Sequence, residues 1–133
     1  MGGLHAALAG PRHNQAMANA YRRGIDAEAV VRRALESDGF TVLAQRLRTE
    51  AGEIDIVAAT PDLLSIVEVK ARPTLADAAC ALGRRQQARL LAAADIALAE
   101  HPEWIRRGMR FDLIVVDGAG RVRRITDAFR LEN

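Results

Sequence analysis

Cysteine, histidine, aromatic residues and lysine are all scarce in this chain of 133 residues, and each scarcity excludes something. The one cysteine, Cys80, cannot form an internal disulfide, and in the run Ala78-Ala79-Cys80-Ala81 it reads as a small apolar residue. His5, His13 and His101 are scattered without the spacing of metal ligands. Aromatics make up 4% of the chain, which argues against a base-stacking platform for nucleic acid. No apolar run approaches the ~20 residues of a membrane span. No basic residue precedes the weakly apolar stretch Leu4–Gly10, so no secretory signal is expected, and the chain is expected to be cytoplasmic.

Lysine is the most informative scarcity. Of 19 basic residues only Lys70 is a lysine. Arginine stays charged at any working pH, whereas lysine can lose its proton where its site favours that. A chain that uses arginine for general positive charge has kept lysine at one position, beside a group of acids.

What is present points to a packed globule. Half the residues are apolar and the net charge is only +2, so a core forms and disorder is not expected. Residues 1–20 carry Gly2, Gly3, Gly10 and Pro11 and read as a mobile N-terminal arm. Residues 21–133 show no internal repeat or low-complexity linker and read as one domain.

Within it, Ala27, Val30, Val31, Ala34 and Leu35 recur at helical spacing, predicting a helix from about Gly24 to Ser37 closed by Gly39. Glu28 falls at the edge of that stripe, an unusual place for an acid without a task; the plain alternative is a boundary glutamate whose head reaches water. Phe40–Arg48 reads as a strand. The 71–82 connection has room for a short helix. A second main helix is expected from Arg84 to Glu100, with Leu91, Ala94 and Leu98 facing the core and Leu90 and Ala97 alongside, ending at His101-Pro102. Arg110–Val116 and Arg121–Thr126 read as strands around the turn at Asp117-Gly118. The order α-β-β-β-α-β-β predicts an α/β fold with a mixed sheet flanked by helices.

The stretch Gly52–Lys70 carries the chemistry. Glu53-Ile54-Asp55-Ile56 alternates polar and apolar, as does Val67-Glu68-Val69-Lys70. Pro61-Asp62 marks the turn of a hairpin between them. A turn centred there pairs residues whose numbers sum to 123, placing Asp55 opposite Glu68 and Glu53 opposite Lys70. Two carboxylates directly across a strand pair repel, and such a pair makes sense around a cation. Asp55, Glu68 and the carbonyl of Val69 offer hard oxygens suited to Mg²⁺ or Mn²⁺. Lys70 on the same face would orient a nucleophile or offset developing negative charge. The plain alternative is an exposed ladder of ion pairs, Glu53–Lys70 and Glu68–Arg72, contributing roughly 0–1 kcal/mol each.

Glu28, Gly52-Glu53-Ile54-Asp55 and Val67-Glu68-Val69-Lys70-Ala71-Arg72 resemble the motifs of the YraN-like bacterial family. So do Gln87, Phe111-Asp112 and Ile125-Thr126-Asp127-Ala128-Phe129, so that the resemblance covers roughly Arg22 to Phe129. That family is itself similar to the PD-(D/E)xK nuclease superfamily, including Holliday-junction resolvases. The resemblance implies a restriction-endonuclease-like fold, Glu28 and Asp55 as catalytic acids, Glu68 as metal ligand and Lys70 as catalytic lysine, with Glu53, Gln87 and Arg72 in support. Ile54 stands where the superfamily name has proline, and at Gln86 similar proteins often carry lysine. The implied activity is a metal-dependent endonuclease acting on DNA, branched or damaged DNA included.

Two other functions stay open on the residues alone. Arg84, Arg85 and Arg89, with Arg121, Arg123 and Arg124, would serve a nucleic-acid-binding module without turnover. Arg32, Arg33, Arg106 and Arg107 read instead as solvated surface. An interaction protein with a vestigial site is the third reading, and a homodimer would suit symmetric cutting of two strands.

Overall fold

The structure is a computed structural model that describes residues 26–72 and 82–129. Helix α1 spans Ala27–Ser37, followed by strands β1 (Thr41–Thr49), β2 (Gly52–Ala59) and β3 (Leu63–Ala71). Helix α2 (Arg84–Glu100) and a 3₁₀ turn at Pro102–Trp104 lead into β4 (Gly108–Val116) and β5 (Val122–Phe129). This is the expected α-β-β-β-α-β-β order, with strand ends moved by one to three residues. The N-terminal arm and the connection at 73–81, where a short helix was expected, lie outside the described residues, as do Gly24 and Ile25.

Local signals explain the helix ends. Asp26 caps α1 by accepting a hydrogen bond from Ala29 N–H at 3.2 Å on Oδ1. After the helix, Gly39 takes φ +90°, a left-handed value open to glycine. His101-Pro102 ends α2, because Pro102 cannot donate the next helical hydrogen bond.

The strands form one sheet in the order β1-β2-β3-β4-β5, parallel between β3 and β4 and antiparallel elsewhere. The helices cover opposite faces. Ala27, Val31 and Leu35 of α1 pack on Ile56, Ala58, Val67, Val69 and Ile114. Leu90, Ala93, Ala94 and Ala97 of α2 pack on Ile54, Val57, Ala59, Leu64 and Ile66. The buried stripe of α2 is turned slightly relative to the expected one: Leu90, Ala94 and Ala97 are common to both, Ala93 joins them, and Leu91 and Leu98 lie at its margin. Small alanines let the helix sit close to the sheet, and the larger leucines fill in at the sides.

The hairpin register agrees with the sequence over four pairs, Ile56↔Val67 to Ala59↔Leu64, all summing to 123. It stops one pair short of the acids. The alternation also breaks there: Ile54 belongs to the α2 side and Ile56 to the α1 side. Across on β1, the ladder pairs Gln45 with Ile56 and Leu47 with Ile54 but skips Arg46 and Asp55. Arg46 has φ +50°, rare for a side-chain-bearing residue, and it sits opposite the point where the alternation of β2 breaks. The expected alternation through Glu53–Ile56 thus fails at one point, and that point is the site.

Candidate functional site

Beyond Ile56↔Val67 the strands β2 and β3 part, and side chains replace the ladder. Asp55 Oδ2 accepts the Val69 N–H at 2.8 Å. The expected ladder pairs Asp55–Glu68 and Glu53–Lys70 are therefore not formed. Asp55 and Glu68 still share a neighbourhood. The charge of Glu68 acts on the Asp55 carboxyl, and Glu68 meets α2 through Gln86, whose Nε2 donates to Glu68 Oε2 at 2.8 Å. Lys70 Nζ lies 2.9 Å from the same Oε2.

These groups are interior. Glu68 and Lys70 are each 1% exposed, Asp55 6% and Arg72 5%. The solvated ion-pair ladder is thereby excluded: Glu68 and Lys70 pair with each other inside the protein, while Glu53 pairs with exposed Arg48 at 3.7 Å. Among the described residues no buried side-chain nitrogen or oxygen lacks a partner. Burial is expensive for a charged carboxylate. It pushes the Asp55 carboxyl well above the usual carboxylate range, and the charge of Glu68 pushes it further. The Val69 N–H works in the opposite direction; Glu28 adds to the rise and Lys70 offsets part of it.

Glu28 comes from the first turn of α1, and its charge acts on Asp55. Its Oε1 accepts from Arg46 Nε at 2.9 Å, a bond that raises the Arg46 pKa above its usual value. Val69 has its N–H on the β2 side. In an extended strand the carbonyl of the same residue faces the same neighbour, so the Val69 carbonyl is also directed towards Asp55.

The supporting residues divide. Arg72 is buried at the end of β3, where its N–H donates to Val116 O and its Nη1 to Ala71 O. Gln87 does not point to the acids; its Nε2 donates to Leu82 O ahead of α2. Its neighbour Gln86 takes the expected place. Residues 86 and 87 differ by 100° around a helix, too little for sequence alone to assign which one faces Glu68. The position was nonetheless visible as the one where similar proteins often carry lysine.

Among the arginines, Arg84 and Arg85 are exposed on the first turn of α2. The stem of Arg89 crosses Gly52: a Cβ at Gly52 would lie 2.5 Å from Arg89 Cδ. Gly52 also has φ +147°, so both space and backbone require glycine at the start of β2. Arg124 is structural, donating to Ala34 O at 2.9 Å and pairing with Asp38 at the end of α1. Arg121 pairs with Asp117 at 2.8 Å. Arg106 is not solvated surface either, since it donates to Thr60 O, Glu103 O and Trp104 O.

Phe111-Asp112 and Asp127 proved to be architecture. Asp112, 4% exposed, accepts from Ser65 Oγ at 2.6 Å, from Arg110 Nε at 2.8 Å and from Asp127 N–H at 2.8 Å. Asp127 has φ +55°, and the β4–β5 register shifts between Phe111 and Leu113. The Asp112 carboxylate thus holds the irregular end of β5 against β4.

Fold and site together define an α/β domain with a mixed five-stranded sheet and a buried acid–lysine cluster where two strands part. The model of the uncharacterised protein family UPF0102 matches residues 27–116, and the chain belongs to that family. A UPF0102 protein of Granulibacter bethesdensis is 62% identical over 113 residues, covering 85% of this chain and 72% of the relative. One from Acidiphilium cryptum is 47% identical over 122 residues, covering 92% and 94%. One from Azorhizobium caulinodans is 47% identical over 113 residues, covering 85% and 86%. Among the described residues no helix is long and apolar enough to cross a membrane.

Proposed function

We propose that this chain is a cation-dependent nuclease that hydrolyses DNA phosphodiester bonds, branched or damaged DNA included, with Mg²⁺ or Mn²⁺ as its cofactor and the cytoplasm as its place of action. The observation that carries this reading is the interior Glu68–Lys70 pair beside Asp55, a buried carboxyl held above its usual range by burial and by a second acid. A structural ion pair is satisfied by one acid and one base. A further buried acid, its charge opposed by burial and by its neighbour, is a place that a bound cation would stabilise.

The donors fit a hard divalent cation. Among the described residues no three His, Cys, Asp or Glu side chains form a metal-holding group. Mg²⁺, however, usually takes one or two carboxylates and completes its shell with waters and substrate phosphate. Asp55 and Glu68 would hold it with the Val69 carbonyl, and Glu28 would supplement the set. Such an ion, when bound, polarises the phosphodiester and makes a bound water more acidic.

The chain's own groups account for the rest. The Val69 N–H fixes the Asp55 rotamer, and Gln86 fixes Glu68. Lys70, shielded from solvent, orients the attacking water and offsets the negative charge that grows on the phosphate. Water adds to phosphorus and one ester P–O bond breaks. The products are a phosphomonoester and a free hydroxyl, with the water's two hydrogens shared between product and solvent. Arg84, Arg85 and Arg89 contact the backbone phosphates outside the site. A homodimer would present two such sites for two strands.

The test is cleavage of linear, flap and four-way DNA by purified protein with Mg²⁺ or Mn²⁺. Wild type should cut at least one substrate and Asp55→Ala none; equal rates for the two refute the reading. A second reading, binding without turnover, is favoured by the closure of Lys70 onto Glu68. Salt-dependent DNA affinity without cation uptake or cleavage selects it.

A further inference from the structure

We infer that Arg46 is a phosphate-binding residue of this site, holding a backbone oxygen of the nucleic acid beside the acids; this rests on the nuclease reading above. Three observations meet at Arg46. Its backbone is left-handed, at φ +50°, within a β-strand. Glycine and asparagine adopt that conformation readily, whereas arginine does so against its preference. The position opposite it across the strand pair is Asp55, at the one gap in the ladder between Gln45↔Ile56 and Leu47↔Ile54. The left-handed Arg46 thus lies across from the residue that leaves the β2–β3 ladder for the Val69 N–H.

The third observation is where the guanidinium goes. Its Nε donates to Glu28 Oε1 at 2.9 Å, while the side chain stays 59% exposed. Among the described residues that carboxylate is its hydrogen-bond partner, which leaves the amino edge of the guanidinium facing water. A planar guanidinium with one edge anchored on a carboxylate and the other solvated is preorganised to take two oxygens of a phosphate. The site's interior cation, Lys70, is closed off at 1% exposure and cannot make that first contact. A counter-charge for Glu28 alone would need neither the left-handed backbone nor a guanidinium half in water. Arg48, two residues on and 82% exposed, extends positive charge along the same strand.

The experiment uses the full chain and substitutions that suit the backbone. Arg46→Asn and Arg46→Gly keep a left-handed residue and remove the charge; Arg46→Lys keeps the charge and loses the paired donors. Binding of fluorescein-labelled linear and four-way DNA is measured over a salt series in EDTA, where no cation-dependent cleavage runs, with a thermal melt of each variant. The Asn and Gly variants should bind more weakly at low salt, and the slope of log affinity against log salt should become shallower by about one. Arg46→Lys should restore the slope while leaving affinity below wild type. An unchanged slope in the Asn and Gly variants, with wild type binding normally, overturns the inference and leaves the nuclease reading standing. Wild type that neither binds nor cuts DNA overturns the nuclease reading and this inference with it. The slope reports contacts of the folded fraction, so a lower melting temperature alone does not imitate the expected result.

Discussion

Replacing Asp55 by asparagine should make the cation-free protein more stable, although it removes a residue proposed to be catalytic. Asp55 is 6% exposed, lies beside Glu68 and within electrostatic reach of Glu28, and has one described hydrogen bond, from Val69 N–H at 2.8 Å. Asparagine keeps an oxygen for that N–H and removes the charge that burial and the neighbouring acids oppose. A pKa raised on folding means that the folded state favours the protonated acid. The contribution of Asp55 to wild-type stability is therefore fully present at low pH and is lost as pH rises through the raised value, because ionised Asp55 is tolerated better in the unfolded chain. At neutral pH the substitution should gain about 0.5–2 kcal/mol, the usual scale for relieving strain at a functional site. That raises Tm by roughly 4 °C per kcal/mol in a domain of this size. Mg²⁺ should act in the opposite sense on the pair: at a hundredfold excess over Kd it stabilises wild type by about 2.7 kcal/mol and leaves the variant unmoved. Thermal melts of both proteins between acidic and neutral pH, with and without Mg²⁺, measure every quantity. An Asp55→Asn protein that melts below wild type without cation, by a margin that does not change with pH, refutes the electrostatic account of the site.

Lys70→Met should destabilise by about 3–5 kcal/mol in urea denaturation, because it leaves Glu68 buried without its cation, and adding Glu68→Leu should recover much of that loss. Asp112→Ala should lower stability by roughly 2–3 kcal/mol by stripping Ser65, Arg110 and Asp127 of a shared acceptor. Asp117 is held below its usual value by the backbone N–H of Arg121, then by Ala119 and the Arg121 guanidinium. A depressed folded pKa gives stability that is present above the unfolded value and lost as pH falls through the folded one. Asp117→Asn should therefore flatten the acid limb of the stability–pH curve, and an unchanged limb contradicts that assignment.

Hydrophobic periodicity and turn chemistry are local, so the sequence by itself determined the element order, the hairpin turn at Pro61-Asp62 and the register that pairs Ile56 with Val67. It also singled out Lys70 and the acids around it, because residue type and spacing along one chain face are written in the sequence. Tertiary structure alone decided what lay beyond the last ladder pair. Asp55 leaves the ladder for the Val69 N–H, since two carboxylates directly opposite each other in a regular sheet repel. Gln86 rather than Gln87 reaches Glu68, a choice of helix rotation that depends on how α2 docks through Leu90, Ala93, Ala94 and Ala97. Arg46 carried no sequence signal at all: a left-handed arginine is set by the strands on either side of it, and its pairing with Glu28 joins residues 18 apart. Composition suggested a solvated ladder as readily as a buried cluster. Burial is a property of the packed sheet and its two helices, and burial is what turns three ordinary charges into a site.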